Sequence, residues 1–109
     1  MSAPQLTPSE VAAGLAAGEM VAVDVREAEE WEAGRIDGAI WIPLSELGAR
    51  AAELPAACRL AMVCRSGSRS GYAADAFHAE SVDAVNMAGG MKAWVAAGLP
   101  IAPQDGVVL

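Results

Sequence analysis

Residues Arg59–Ala79 read RLAMVCRSGSRSGYAADAFHA. The stretch has three parts. Leu60–Val63 is a short apolar run, a candidate for a buried strand. Cys64–Ser70 is small and polar: a cysteine, two arginines, three serines and one glycine. Ser68–Ala79 reads as a helix. A strand entering a helix through a tight loop is the repeating unit of a parallel sheet, and the flanking sequence repeats it.

Toward the N-terminus, Thr7-Pro8-Ser9-Glu10 is a helix start: Thr7 caps, Pro8 takes the first helical position and Glu10 completes a capping box. That helix is expected to reach Ala17 and stop at Gly18. Met20–Val25 and Ala39–Ile42 are apolar runs of strand length, the second stopped by Pro43. Glu27–Ala33 is a short acidic helix, and Ser45–Leu54 a further helix closed by Pro55. Toward the C-terminus come a strand over Val82–Asn86 and a helix over Gly90–Ala97. The tail, Ile101–Leu109, shows no periodicity. Strands alternate with helices throughout. The expected fold is therefore α/β, a mostly parallel sheet with helices on both faces. Residues 1–109 are expected to form one domain with an irregular tail.

In such sheets ligands bind outside the carboxyl ends of the strands, and Cys64 falls at one of those ends. The thiolate is the nucleophilic form of cysteine, and a free thiol has a pKa of about 8.5. A helix N-terminus and nearby cations both lower it. The backbone N–H groups of Arg65–Ser70 can curl into an anion nest, with Gly67 supplying positive φ. Ser66, Ser68 and Ser70 add hydroxyl donors, and Arg65 and Arg69 add charge. The loop carries neither histidine nor carboxylate. The pattern suits a nucleophile activated by its electrostatic setting rather than by an adjacent base. The competing reading, an apolar filler at a strand end, fits a lone cysteine but not one followed by two arginines and a glycine.

Composition narrows the partners. The 109 residues carry a net charge of −7, with Lys92 as the single lysine. That balance argues against nucleic acid and anionic membranes. Arginine, which forks onto oxyanions, supplies almost all the positive charge. No apolar run approaches the roughly 20 residues that span a bilayer, and the first residues lack the pattern of a signal peptide, so a cytoplasmic location is expected. Cys58 and Cys64 flank an extended segment and stand about 20 Å apart, too far for a disulfide. No Cys/His cluster suggests zinc, and no cofactor is implied.

Three separated stretches resemble the single-domain rhodaneses, or sulfurtransferase-like domains. They are VDVREAEEWEAGRIDGAIWIPLSEL over Val23–Leu47, VCRSGSRS over Val63–Ser70, and NMAGGMKAWVAAGLPI over Asn86–Ile101. The resemblance implies a five-stranded sheet, the added strand being a short one near Gln5-Leu6. It implies that Cys64 accepts a sulfane sulfur from a small anionic donor, thiosulfate or a persulfide. The sulfur then passes to an acceptor: cyanide in the family's test reaction, or a protein or low-molecular-weight thiol. By the same resemblance, the backbone of Arg65, Ser66, Gly67, Ser68, Arg69 and Ser70 cradles the persulfide, and Arg65 and Arg69 take the donor's oxyanion end. Arg35, Asp37 and Trp41 depart from the family pattern, and are read as packing or surface changes; Trp41 is also a candidate for a partner surface.

Asp24 and Arg26 stand near the site, as a structural ion pair in preference to substrate ligands. Glu27, Glu29, Glu30 and Glu32 read as a solvated face, Trp31 and Trp94 as core, and Cys58 as inert. Two other function classes share the expected fold. A phosphatase or arsenate reductase of this kind carries C-x5-R, whereas this chain has C-x4-R between Cys64 and Arg69, a loop sized for a terminal sulfur. A non-catalytic sulfur-relay or binding module is the other.

Overall fold

The computed structural model describes residues 2–109. Its elements follow in the order β1 (Gln5–Leu6), α1 (Pro8–Ala16), β2 (Met20–Asp24), α2 (Ala28–Ala33), β3 (Ile40–Trp41), α3 (Leu44–Arg50), a 3-10 turn (Ala51–Glu53), β4 (Arg59–Val63), α4 (Ser68–Ala79), β5 (Ala84–Met87) and α5 (Gly90–Ala96). The strands form one sheet in the order β1-β5-β4-β2-β3, every pairing parallel. The α/β class and the five-stranded sheet expected from the sequence are both present, as is the short first strand.

Alternation along the strands divides the core into two layers. Val23, Val25, Leu60, Met62, Cys64 and Ala84 face one way, against Leu47 of α3 and Ala73 and Ala74 of α4. Ala22, Ala61, Val63, Val85 and Met87 face the other, against Val11 of α1 and Met91 and Trp94 of α5. A period of two with both faces covered is what a parallel sheet requires. Helix α1 starts as its sequence dictates: the Glu10 N–H donates to Thr7 Oγ1 at 3.1 Å and the Thr7 N–H to Glu10 Oε1 at 2.8 Å.

Some boundaries differ from expectation. The helix expected over Ser45–Leu54 tightens into a 3-10 turn at Ala51, where Arg50 is held by both Glu46 and Glu53. The strand expected from Val82 begins at Ala84, because Ser81 turns the chain with φ 64°. The tail is not loose. Arg35 and Ala102 exchange two backbone hydrogen bonds, the Val107 N–H donates to the Ala33 carbonyl, and Ile101 and Val108 pack on the core.

Strand order places a switch point between β4 and β2. From β2 the chain crosses to β3 on one side; from β4 it crosses to β5 on the other. Connections that leave in opposite directions open a crevice at the carboxyl ends of the two strands. Cys64 is the first residue beyond β4, at that crevice.

Candidate active site

The thiol is gripped from below and from the helix. Cys64 has no exposed surface. Its Sγ accepts the Gly67 N–H at 3.1 Å and lies 3.3 Å from Ser70 Oγ. Gly67 caps α4 in the left-handed region at φ 99°, a conformation that turns its amide back toward the sulfur. The twelve-residue helix α4 thus begins directly over the thiol, with its positive end toward it. Burial alone pushes the Cys64 thiol up. The Ser70 hydroxyl and the N–H groups of Ser70, Gly67 and Ser66 outweigh that, and hold the thiol below its ordinary value. Loop amides and a hydroxyl lead this effect; Arg69, although forked onto Glu30, also couples to the sulfur through its charge, whereas Arg65 turns to Leu109.

Arg69 forks onto Glu30. Its Nη1 and Nη2 donate to Glu30 Oε1 and Oε2, each at 2.8 Å. Glu30 is not part of a solvated face: only 16% of its side chain is exposed, and Oε1 also accepts the Glu27 N–H at the start of α2. The Arg69 guanidinium lowers the Glu30 carboxyl from 4.5 to about 2, against a smaller opposing push from burial. Because the folded value is depressed, the pair contributes stability above about pH 4.5 and loses it as pH falls toward 2. Arg65 is exposed, and its Nε donates to the Leu109 carbonyl. Ser66 and Ser68 are exposed at the loop's rim, and Gly67 is half-buried.

The floor of the loop rests on α5. The Met91 N–H donates to the Cys64 carbonyl at 2.8 Å and the Lys92 N–H to the Arg65 carbonyl at 3.0 Å. A Cβ at Gly90, whose φ is +60°, would stand 2.5 Å from the Cys64 carbonyl oxygen. Only glycine lets this helix start approach the Cys64 backbone so closely.

Asp24 and Arg26 form a buried pair behind the crevice. Arg26 Nη2 reaches Asp24 Oδ2 at 2.7 Å and the Gly34 carbonyl at 2.8 Å, with side-chain exposures of 0% and 1% for arginine and aspartate. They fasten the turn that leads into α2. Trp31 is half-buried, not core. It stacks on Trp41 with ring centroids 5.8 Å apart, and the Arg35 guanidinium lies over its ring at 5.2 Å. Trp41 Nε1 donates to the Arg26 carbonyl at 2.8 Å. Two of the departures from the family pattern, Arg35 and Trp41, therefore belong to one stack against α2, while Asp37 is exposed. Trp94 is core.

Asn86 is a residue the sequence reading passed over. It is buried in β5, and its amide bonds to Gly67, Ser70 and Gln5. An amide within an apolar strand was the available signal, because a buried amide requires partners.

Comparison with known proteins bears on the family and the fold. A family model for the Rhodanese-like domain matches residues 7–97. A sulfurtransferase of Allochromatium vinosum is 33% identical over 89 residues, which cover 81% of this chain and 83% of that protein. A putative sulfur carrier protein of Bacillus subtilis, YrkF, is 40% identical over 73 residues, covering 66% of this chain and 40% of the carrier. The chain spans less than half the length of that carrier and of other, longer curated relatives. The crystal structure of a rhodanese-related protein from Thermoplasma volcanium superposes with a TM-score of 0.85 at 26% identity, covering 91% of this chain and 97% of the other. Matched across most of its length in both sequence and fold, the chain belongs to the rhodanese-like domain family.

Proposed function

We propose that the chain is a sulfurtransferase that works through a persulfide on Cys64. The Cys64 thiolate attacks the outer sulfur of thiosulfate. A new S–S bond forms, the bond to the sulfonate sulfur breaks, and sulfite leaves with the electron pair. A thiophilic acceptor then takes the outer sulfur. With cyanide the product is thiocyanate and the thiolate is restored; a protein or small thiol acceptor receives the sulfur in the same way. The observation that carries this reading is the cradle itself: N–H and O–H donors converge on one sulfur at the loop, with no carboxylate or imidazole hydrogen-bonded to it among the described residues. A dissociable anion on sulfur is what such a cradle holds, whether thiolate or persulfide. The same loop is one residue shorter than C-x5-R, which disfavours phosphate or arsenate chemistry. Intact mass after thiosulfate treatment tests the proposal. A gain of one sulfur atom, located on Cys64, is expected; robust aryl phosphate hydrolysis with no sulfur gained would reverse it.

The thiol is expected to titrate below the ordinary value of about 8.5. Alkylation rate against pH, measured in a Cys58→Ser background so that one thiol reports, gives the midpoint. Reactivity should persist down to that lowered midpoint and fall below it as the thiolate is protonated. A midpoint at or above the ordinary value would count against the cradle.

Glu30 bears on which donor is used. In its present pair, Glu30 cancels the charge of the one loop arginine nearest the helix start. Glu30→Gln leaves Arg69 cationic and uncompensated. Thiosulfate kcat/KM should rise by about threefold to tenfold at low salt, and the gain should shrink as salt is raised. A fall in kcat/KM with unchanged salt dependence would mean that Glu30 serves to hold Arg69 in place.

A further inference from the structure

Ser70 has one proton and two acceptors. Its Oγ lies 2.7 Å from Asn86 Oδ1 and 3.3 Å from Cys64 Sγ. The orientation of the Asn86 amide is not free. Its Nδ2 faces the Gly67 carbonyl at 3.1 Å, an unambiguous acceptor, and Gln5 Oε1 at 2.9 Å. Nitrogen therefore points at Gly67 and oxygen at Ser70. The fit is tight on the Gly71 side, where a Cβ would stand 3.3 Å from Asn86 Nδ2, and ordinary on the Gly67 side, where it would stand 3.7 Å away. Gly71 makes room for this amide, and Gly67 lies in contact distance of it.

We propose that Asn86 is a positioning residue for Cys64, whose side-chain oxygen competes with the sulfur for the single proton of Ser70 while its nitrogen holds the Gly67 carbonyl. With Cys64 as a thiol, the S–H donates to Ser70 Oγ and the Ser70 O–H to Asn86 Oδ1. Every group in that chain is paired. With Cys64 as a thiolate, the Ser70 proton turns to sulfur, and Asn86 Oδ1 is left without a donor at a site that is only 4% exposed. An unpaired buried acceptor carries a free-energy cost. Asn86 thus restrains the anion that Ser70 stabilises, and sets how far the cradle lowers the thiol. The assignment rests on Cys64 being the reactive thiol of the proposed sulfurtransferase. Its test reads the thiol directly, so a failure of sulfur transfer and a failure of this mechanism are separate results.

Other charges face the thiol, and the test must hold them constant. Arg69 on α4, whose charge couples to Cys64, is paired with Glu30 on α2. The Asp24–Arg26 pair lies at the end of the neighbouring strand β2. Arg65 lies in the loop, and Lys92 of α5 is exposed beneath it. None is altered by substitution at Ser70 or Asn86.

The experiment is a double-substitution cycle on the full chain in a Cys58→Ser background, with alkylation followed against pH. Ser70→Ala removes the donor, and its midpoint should rise. Asn86→Ala removes the competitor, and alkylation at a pH well below the midpoint should become roughly threefold faster, the scale of one neutral hydrogen bond. In the Ser70→Ala background the Asn86 substitution should have no such effect. Asn86→Leu, closer in shape, repeats the test where the alanine variant melts far below the parent. An unchanged or slower rate in both Asn86 variants overturns the proposal. So does an equal acceleration with and without Ser70, since the effect would then not pass through the hydroxyl.

Discussion

Cys64→Ser is expected to gain no sulfur from thiosulfate and to lose thiocyanate formation by about a thousandfold or more, the order of loss that follows removal of a covalent nucleophile. The cradle that suits a thiolate cannot rescue a hydroxyl. A serine is not ionised near neutral pH, and its oxygen is a weak nucleophile toward sulfane sulfur. The substitution exchanges sulfur for the smaller oxygen at a site with no exposed surface, so some loss of packing accompanies it. A thermal melt recorded beside the kinetics separates that loss from the chemistry: the variant should remain folded at the assay temperature while inactive. Cys58→Ser serves as the control. Cys58 is a free, partly exposed thiol before β4, at the opposite end of the strand from Cys64, and its removal should leave turnover close to the parent. Wild-type turnover by Cys64→Ser would move the chemistry to another residue and end the proposal.

The sequence carried the scaffold further than it carried the site. Alternating apolar runs and capped helices are local signals, and they placed the strands, the helices and Cys64 at a strand's carboxyl end; the switch point came only with the strand order. The α4 boundaries, Ser68–Ala79, agree with expectation because Gly67 and the polar loop end the strand sharply. The site is different because its decisive contacts join residues far apart in the chain. Glu30 looked like one carboxylate of a solvated run, and nothing in the pattern of α2 says that Arg69, 39 positions later, will fork onto it. Asn86 lies 16 positions from Ser70 and 81 from Gln5; α4 brings Ser70 onto β5, and parallel pairing of β1 with β5 brings Gln5. Trp31 read as core for its size, yet stacks at the rim with Trp41. Parallel sheets bring distant segments together at their carboxyl ends, so the partners there are legible only after the strand order is known.

The pair behind the crevice is expected to matter more for stability than any other charge in the chain. Asp24→Ala should lower unfolding free energy by about 3–5 kcal/mol, the range seen when one partner of a buried ion pair is removed. Arg26 would keep its charge in a site with no exposed surface. Asp24 now accepts from Arg26 Nε, Nη2 and the backbone N–H, while among the described residues Nη1 already has no partner. The remaining contact, Nη2 to the Gly34 carbonyl, cannot balance a full charge. For a chain of this size each kcal/mol shifts the melting midpoint by about 4–8 °C, so a fall of at least about 12 °C is expected. Removing both charges should cost much less than removing one: Asp24→Leu with Arg26→Met should recover more than half of the loss, because no buried charge is left unpaired. A midpoint within a few degrees of the parent for Asp24→Ala would show that Asp24 is not what compensates Arg26. The pair also fixes the turn from β2 into α2, and α2 carries Glu30 to Arg69. The double variant therefore separates two roles: if it folds well but alkylates at Cys64 with a shifted pH profile, the buried pair also sets the electrostatics of the crevice; if its profile is unchanged, the pair acts through stability alone.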